Sequence, residues 1–130
     1  MIVVDASAVI ESLLQTACAP AVEAFLFRPG ETLHAPHLID VEVTQVLRRY
    51  AITKAIDVRR CQTGLEDWLL FPVNRYGHDV LLARAWELRD NVTACDAVYI
   101  ALAELLSAPL LTRDVRLSNA AGHKAKIQLI

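Results

Sequence analysis

The chain has 130 residues, of which 55% are hydrophobic, and a formal net charge of −2 with a pI near 6.0. This length predicts one domain, residues 1–130, with a substantial hydrophobic core. The charge is not that of a protein that coats DNA through a broad cationic surface, although a local arginine cluster can still contact phosphate. The excess of apolar residues favours an oligomer or a permanent partner, because some of that surface must be covered.

Cysteine use and hydropathy indicate the cellular compartment. Cys18, Cys61 and Cys95 are widely spaced and odd in number, which argues against a disulfide framework or a zinc ribbon. The longest apolar stretch, Ala97–Leu111, is interrupted by a glutamate and a proline and is shorter than a membrane span. The first residues lack the positive flank of a signal peptide. We therefore expect a soluble, cytoplasmic protein with reduced cysteines and no membrane association.

Strands and helices are predicted to alternate along the chain. Ile2–Val4 is a continuous apolar run, typical of a strand buried on both faces of a parallel sheet, and apolar residues at helical spacing follow Asp5. Further strands are predicted at 32–35, 71–75, 109–112 and 126–130, and further helices at 19–27, 37–50, 54–70, 78–90, 94–107 and 114–121. This alternation predicts an α/β fold in which a parallel sheet lies between two layers of helices, with the last strand at a sheet edge.

Four acidic residues occupy positions where acids are unusual. Asp5 ends the first strand, and Asp114 follows the fourth. Glu42 borders the apolar stripe of a helix, and Asp96 lies at the start of the most apolar helix. Taken singly, each has an ordinary explanation as a helix cap, as part of a capping box with Thr93, or as a surface residue. Because the carboxyl ends of parallel strands share one edge of the sheet, we expect these acids to meet in one cleft there.

Such a cleft has a defined chemistry. Carboxylates crowded in a poorly solvated cleft repel one another and have raised pKa values unless a cation lies between them. An oxygen-only donor set without cysteine or paired histidine selects a hard ion, Mg²⁺ or Mn²⁺. Such an ion can polarise a phosphoryl oxygen and lower the pKa of its bound water. The pattern therefore predicts metal-assisted hydrolysis of a phosphodiester bond.

Four segments, in order, resemble the motifs of PIN-domain ribonucleases. They are Val3–Ala8 (VVDASA), Pro36–Val43 (PHLIDVEV) followed by Leu47–Arg49, Thr93–Glu104 (TACDAVYIALAE) and Leu111–Leu117 (LTRDVRL). Their order and spacing and the small chain are similar to the VapC toxins of bacterial type II toxin–antitoxin pairs. The resemblance implies a PIN-like three-layer domain with a five-stranded parallel sheet and an Mg²⁺- or Mn²⁺-dependent endoribonuclease that inhibits translation and growth. It also implies a homodimer and a VapB-type antitoxin as partner.

The resemblance also implies roles for individual residues. The metal-binding and catalytic acids would be Asp5, Glu42, Asp96 and Asp114. Ser7 and Thr112 would be hydroxyls that hydrogen-bond the carboxylates or waters. The sequence departs from the family at Cys95, where a tyrosine is frequent, and at Arg116, where some PIN domains have a further acid. A second metal ion would therefore depend on substrate phosphate.

Several other residues have competing interpretations. Four arginines are as compatible with phosphate contacts as with local salt bridges: Arg75, Arg89, Arg113 and Arg116. The last two flank Asp114 and are the best placed, whereas Arg48 and Arg49 fit a solvated helix face better. The pair His34 and His37 fits ordinary loop histidines better than metal ligands. Three aromatic residues at apolar helical positions are predicted in the core rather than as stacking platforms for bases: Trp68, Trp86 and Tyr99.

Isolated glycines exclude a P-loop and a dinucleotide-binding fingerprint. Asp5-Ala6-Ser7 also lacks the second aspartate that phosphotransferases with an aspartyl-phosphate intermediate carry two residues on. Two alternatives to a toxin nuclease stay open. One is a catalytically silent interaction module whose acidic pocket accepts an arginine from a partner. The other is a PIN nuclease of RNA processing or decay.

Overall fold

The computed structural model describes residues 1–130, which form five strands and seven helices. The strands are β1 (Ile2–Val4), β2 (Leu33–Pro36), β3 (Val73–Tyr76), β4 (Leu110–Thr112) and β5 (Ile127–Leu129). The helices are α1 (Ala6–Leu13), α2 (Ala19–Leu26), α3 (Leu38–Ile52), α4 (Val58–Leu69), α5 (Leu82–Glu87), α6 (Ala94–Leu106) and α7 (Val115–Ser118). None of these helices combines the length and the apolar character that a membrane crossing requires.

The strands form one parallel sheet in the order β3-β2-β1-β4-β5. In the central strand β1, Val3 pairs with His34 of β2 on one side and with Leu110 of β4 on the other. The chain moves outward from β1 to β3 and then crosses back over the sheet to β4 and β5. With right-handed crossovers, this order places α1–α4 on one face and α5–α7 on the other. The prediction of a three-layer α/β fold around a five-stranded parallel sheet is confirmed.

The most apolar segments lie at the centre of the molecule. All three residues of β1 are buried because β1 has a neighbouring strand on each side and helices on both faces. Helix α6 packs against β1, β2 and β4, and its residues 97–103 are buried without interruption. This explains why α6 is apolar nearly all round. A cluster of 31 buried residues joins these elements into one core.

Three predicted helices are markedly shorter than the sequence pattern suggested. One of them is α7, which covers Val115–Ser118 instead of 114–121. The helix predicted at 78–90 contains α5 only, since residues 78–81 form a turn that the Leu81 amide closes on the His78 carbonyl at 2.8 Å. His78 Nε2 accepts a hydrogen bond from the Leu38 amide at 2.9 Å, which ties this turn to the start of α3. The segment therefore serves tertiary contacts rather than continuing the helix.

The helix predicted from residue 54 begins four residues later. Lys54 has a left-handed φ of +57°, which separates α3 from α4. The new helix starts at Asp57, whose side chain accepts a hydrogen bond from the Arg59 amide at 2.8 Å. An aspartate at this position is a strong helix start signal, and here it overrides the helical periodicity of the preceding residues.

The order of the strands brings distant parts of the sequence to one edge of the sheet. Strands β1, β2 and β4 are neighbours, so their carboxyl ends lie side by side and are followed directly by α1, α3 and α7. Helix α6 packs under β1 and β2 as the return crossover, which brings its amino terminus to the same edge. This edge is where open α/β sheets bind ligands.

Candidate active site

Four carboxylates line one cavity of about 370 Å³ at this edge. They are Asp5, Glu42, Asp96 and Asp114. Each is positioned by the start of a helix: Asp5 and Asp114 are the caps of α1 and α7. Glu42 and Asp96 lie in the first two turns of α3 and α6. The structure thus brings together the four acids that the sequence singled out.

Asp5 is 7% exposed, and both of its carboxylate oxygens accept hydrogen bonds. Oδ1 accepts from the Ser7 hydroxyl at 2.7 Å and from the Ala8 amide at 3.0 Å. Oδ2 accepts from the Thr112 hydroxyl at 2.5 Å, which joins the ends of β1 and β4. Burial raises the pKa of Asp5; the three hydrogen bonds oppose this rise, and the charge of Asp114 adds to it. Asp5 therefore serves as a helix cap and as a wall of the cavity.

Asp114 is fixed by the loop that contains it. Its Oδ1 accepts from the amides of Arg116 at 2.8 Å and Leu117 at 3.4 Å, and its own amide donates to Thr112 Oγ1 at 2.9 Å. Partial burial alone would raise the pKa of Asp114, but the hydrogen bonds and charge of Arg116 and the Leu117 amide outweigh it and lower the pKa. Asp114 is therefore ionised at neutral pH, and its negative charge acts on Asp5.

Glu42 lies opposite these residues and is held by a tyrosine. The Tyr99 hydroxyl donates to Glu42 Oε2 at 2.5 Å. Burial raises the pKa of Glu42, the Tyr99 bond opposes the rise, and the charges of Asp5 and Asp96 add to it. Burial and the nearby Glu42 charge raise the pKa of the Tyr99 phenol, so this hydroxyl stays protonated and continues to donate. The other oxygen of Glu42, Oε1, accepts no hydrogen bond from the protein.

The negative charges in the cavity repel one another, and a bound cation would reduce this repulsion. The donor atoms are carboxylate and hydroxyl oxygens, which suit a hard divalent ion such as Mg²⁺ or Mn²⁺. Such an ion would relieve the repulsion that helps to raise the pKa values of Asp5 and Glu42. Yet no three histidine, cysteine, aspartate or glutamate side chains are grouped closely enough to hold one ion together. Shared binding by three carboxylates would therefore require side chains in the cavity wall to rotate inward.

Two of the four candidate phosphate-binding arginines lie beside the cavity. Arg113 forms an ion pair with Glu11, and its amide donates to Ser7 Oγ at 2.9 Å. The Arg116 side chain is 90% exposed and lies 3.4 Å from Asp114 Oδ2. Both arginines have a carboxylate partner in the structure, and the long exposed Arg116 pair is the weaker of the two.

The other two arginines lie away from the four carboxylates. Arg75 donates to both oxygens of Asp40 at 2.9 Å and lies over the ring of Trp68, which also donates to Asp40 at 2.9 Å. Arg75 does not line the cavity, so its geometry is that of a structural cluster rather than of a phosphate contact. Arg89 has no carboxylate partner and lies over the ring of Trp86 at 4.9 Å.

Two aromatic residues differ from the prediction that they only fill the core. Tyr99 is buried as predicted, yet its hydroxyl reaches the cavity and positions Glu42. The spacing contained a signal, because Tyr99 follows Asp96 by three residues and so shares its helix face. The prediction for Trp86 was wrong: it is 69% exposed, and the buried residues of this segment are Ala85 and Leu88 instead. The interpretation as an ordinary loop histidine was wrong for His34, which lies in β2, is buried and hydrogen-bonds Tyr76 at 2.7 Å.

The fold and the acidic cavity define a three-layer α/β protein with an oxygen-rich site at the carboxyl edge of its sheet. The PIN domain family matches residues 2–123, and the chain belongs to this family. Its relatives place it in the VapC branch. Ribonuclease VapC12 and Ribonuclease VapC9 of Mycobacterium tuberculosis are 40% and 39% identical over 130 residues, which is all of this chain and 99% and 98% of theirs.

Solved structures agree with this assignment of the fold. A crystal structure of PAE2754 from Pyrobaculum aerophilum superimposes with a TM-score of 0.70 at 28% identity, covering 97% of this chain and 81% of that one. The structure of Mycobacterium tuberculosis VapC20, described as a sarcin-ricin loop cleaving toxin, also has a TM-score of 0.70, at 17% identity, covering 95% and 97% of the two chains. At 17% identity, the similarity to VapC20 supports the fold alone.

Proposed function

We propose that the chain is an Mg²⁺- or Mn²⁺-dependent endoribonuclease and the toxin of a VapBC pair. The observation that carries the proposal is the convergence of Asp5, Glu42, Asp96 and Asp114 on one cavity, in a chain similar over its full length to proteins named Ribonuclease VapC. When bound, the divalent ion supplies charge neutralisation at the phosphoryl oxygens and acidifies water. Asp5, Asp96 and Asp114 would hold it, with Glu42 bound directly or through water.

The hydroxyls around Asp5 fix its orientation. The hydroxyls of Ser7 and Thr112 each accept a hydrogen bond from a backbone amide in the loop after β4. Each hydroxyl also donates a hydrogen bond to Asp5, Ser7 to Oδ1 and Thr112 to Oδ2. This arrangement couples Asp5 to Asp114 without a direct contact between like charges. We expect the two hydroxyls to keep both carboxylates at a constant separation, as outer-shell partners do at other metal sites.

Glu42 is the residue best suited to handle a proton. Its pKa is raised, its Oε2 is fixed by Tyr99, and its Oε1 is free to accept a proton or a hydrogen bond from water. A water oxygen attacks the phosphorus atom and gives its proton to Glu42, the bond from phosphorus to O3′ breaks, and the leaving O3′ takes a proton from solvent. The products would carry a 5′-phosphate and a 3′-hydroxyl. Arg113 and Arg116 flank the cavity and would contact neighbouring phosphates once their present partners release them.

The test uses purified protein, a structured RNA and Mn²⁺. We expect cleavage that stops with EDTA and that Asp5→Asn abolishes. Asp57→Asn is the matched control, because Asp57 caps α4 as Asp5 caps α1 but lies away from the cavity. Cleavage by Asp5→Asn at the rate of the wild type, or no cleavage of any RNA by the wild type in Mn²⁺, would contradict the proposal.

The acidic cavity also fits the alternative that the sequence leaves open. Its four carboxylates would accept an arginine from a partner in a catalytically silent module. The two candidates differ in metal binding. Calorimetric titration with Mn²⁺ should give a site that Asp5→Asn weakens; no binding up to millimolar Mn²⁺, together with no cleavage of any RNA, would favour the silent module.

Partners and location follow from the same proposal. We propose a homodimer that binds a VapB-type antitoxin, because apolar side chains such as Leu69, Leu70 and Val80 are 65% to 86% exposed and need a cover. A toxin that acts on cellular RNA works in the cytoplasm, which also suits the three free cysteines. An adjacent reading frame for a small antitoxin would separate this toxin from a PIN nuclease of RNA processing.

A further inference from the structure

Trp86 and Arg89 form a second candidate site beside the acidic cavity. Trp86 is 69% exposed although indole is one of the largest apolar side chains. The Arg89 guanidinium lies 4.9 Å from the centre of its ring, and Arg89 Nη1 donates to the Trp86 carbonyl at 3.0 Å. The hydrogen bond to the backbone places the Arg89 guanidinium, and the cation–π contact pairs it with the exposed indole ring.

A cavity of about 530 Å³ opens next to this pair. Its wall consists of Leu82, Ala85, Val92 and the first residues of α6, in addition to Trp86 and Arg89. No carboxylate lines this cavity, and Arg89 supplies its only charge. It therefore suits a flat, largely apolar group that carries a negative charge nearby, which describes a nucleobase with its phosphate.

The charge of Arg89 is available to a ligand. Among the four arginines that are candidates for phosphate contact, the three others each have a carboxylate within salt-bridge distance. Arg89 has none, and the nearby Glu87 carboxylate is paired with Arg84 at 2.8 Å. A phosphate could thus approach Arg89 without first displacing a carboxylate, unlike at Arg113 or Arg116.

The two cavities share the amino-terminal turn of α6. Thr93 and Ala94 line the cavity beside Trp86, while Asp96 and Tyr99 line the acidic cavity. Ala94 and Asp96 are two residues apart, so both cavities open at the amino-terminal turn of α6, on different sides of the helix. A strand that leaves the acidic cavity across this end of α6 would pass Trp86.

We propose that Trp86 and Arg89 are a subsite for an unpaired nucleotide of the RNA strand next to the bond that is cut. The base stacks on the indole ring, and the Arg89 guanidinium contacts the phosphate. This inference rests on the proposed ribonuclease function and adds to it the requirement for an unpaired base at a fixed position. It assigns to Trp86 a role that the sequence pattern had not predicted.

The first test measures binding in EDTA, so that neither cleavage nor the metal site contributes. The probe is a fluorescently labelled, 2′-O-methylated single-stranded oligoribonucleotide. We expect Trp86→Ala to weaken binding about 5- to 150-fold, the range for the loss of one stacked base, and Trp86→Phe to recover part of the loss. Arg89→Gln should reduce the slope of log affinity against log salt by about 0.7, the value for one phosphate contact on a single strand.

Phe27→Ala is the matched control, because Phe27 is also an exposed aromatic, at 54%, but lies beside the first residues of β2 at the opposite edge of the sheet. It should bind the probe like the wild type. Both alanine variants remove exposed side chains, so unfolding temperatures should remain near that of the wild type. Equal probe affinity of Trp86→Ala and the wild type would overturn the proposal.

The second test separates this proposal from the two explanations that compete with it. In Mn²⁺, Trp86→Ala should raise KM for RNA with little change in kcat, the signature of lost uniform binding. If the wild type cuts RNA but Trp86→Ala shows an unchanged KM, the subsite is wrong and the ribonuclease function stands. If Trp86→Ala loses affinity only at concentrations where sedimentation shows a change of oligomeric state, the face is an interface between copies and the subsite is overturned.

Discussion

Replacing Asp5 by asparagine should stabilise the metal-free protein while removing its activity. The buried Asp5 carboxylate has a raised pKa, so ionisation at neutral pH opposes folding. Asparagine retains an acceptor for Ser7 and the Ala8 amide and can donate to Thr112 Oγ1, so the cap of α1 survives. Replacing buried charged groups by neutral ones can stabilise a protein by about 1–4 kcal/mol, and we expect about 1–2 kcal/mol here because hydrogen bonds already compensate part of the Asp5 charge.

The size of the effect on the unfolding temperature follows from the chain length. With an unfolding entropy of about 2.1 cal/mol/K per residue, a chain of 130 residues gains about 4 °C for each kcal/mol. We therefore expect Asp5→Asn to unfold about 4–7 °C above the wild type in EDTA. In Mn²⁺ at about 100 times its Kd, the wild type should gain about 2.7 kcal/mol, or about 10 °C, and Asp5→Asn should gain little.

The same reasoning gives a dependence on pH. A carboxyl group with a raised pKa stabilises the fold when protonated, and this contribution is lost as the pH rises through its pKa in the folded state. The metal-free wild type should therefore lose stability as the pH rises above the ordinary aspartate value of 3.8, through the raised pKa values of Asp5 and Glu42. Asp5→Asn should reduce this slope.

Differential scanning calorimetry of both proteins, in EDTA and in Mn²⁺, at several pH values, provides the measurement. The control Asp57→Asn exchanges an exposed cap and should change neither the unfolding temperature in EDTA nor the response to Mn²⁺. Two results would refute the assignment of Asp5 as a destabilising buried carboxylate that binds a cation. One is an Asp5→Asn protein with a lower unfolding temperature than the wild type in EDTA, and the other is an increase in its unfolding temperature in Mn²⁺ as large as that of the wild type.

Three further substitutions separate the roles of neighbouring groups. Tyr99→Phe should lower kcat and weaken Mn²⁺ binding while costing about 1 kcal/mol of stability, because Glu42 loses its only hydrogen bond; unchanged kinetics would show that this bond has no part in the site. Thr112→Val should weaken Mn²⁺ binding about 10- to 100-fold, since Asp5 loses a buried donor, and calorimetric titration measures this loss. Asp40→Ala should destabilise the fold by about 2–4 kcal/mol through its unpaired arginine and tryptophan partners, yet leave KM unchanged below the unfolding transition; a raised KM would place Asp40 in the site.

The sequence predicted most of the fold because local signals and tertiary packing agree there. The apolar run Ile2–Val4 followed by Asp5 marks a buried strand that ends at a helix cap, and both features are present. Two of the misjudged helix boundaries lie at Lys54 and between His78 and Leu81. At these places a left-handed residue or a side chain from another element decides the backbone, and neither leaves a periodic pattern in the sequence.

The arginines show the limit of reasoning from one chain more clearly. Arg75, Arg89, Arg113 and Arg116 are alike in the sequence, since each is a cation near a helix or strand end. Only the packing of distant segments gives Arg75 a partner in Asp40 and leaves Arg89 without one. Charge pairing depends on separations of a few ångström, and these are set by the crossovers rather than by neighbours in the chain.

The sequence by itself determined the order of elements, the buried strands and the identity of the acids that interrupt them, because hydrophobic period and helix capping act within a few residues. The tertiary structure decided how those acids meet. It joined Asp5 to Thr112 across 107 positions, placed Tyr99 against Glu42 and exposed Trp86 beside Arg89. It also left no three of the carboxylates grouped closely enough to hold one ion. The repulsion between these like charges acts only in the folded chain, as do the bonds from Thr112 to Asp5 and from Tyr99 to Glu42.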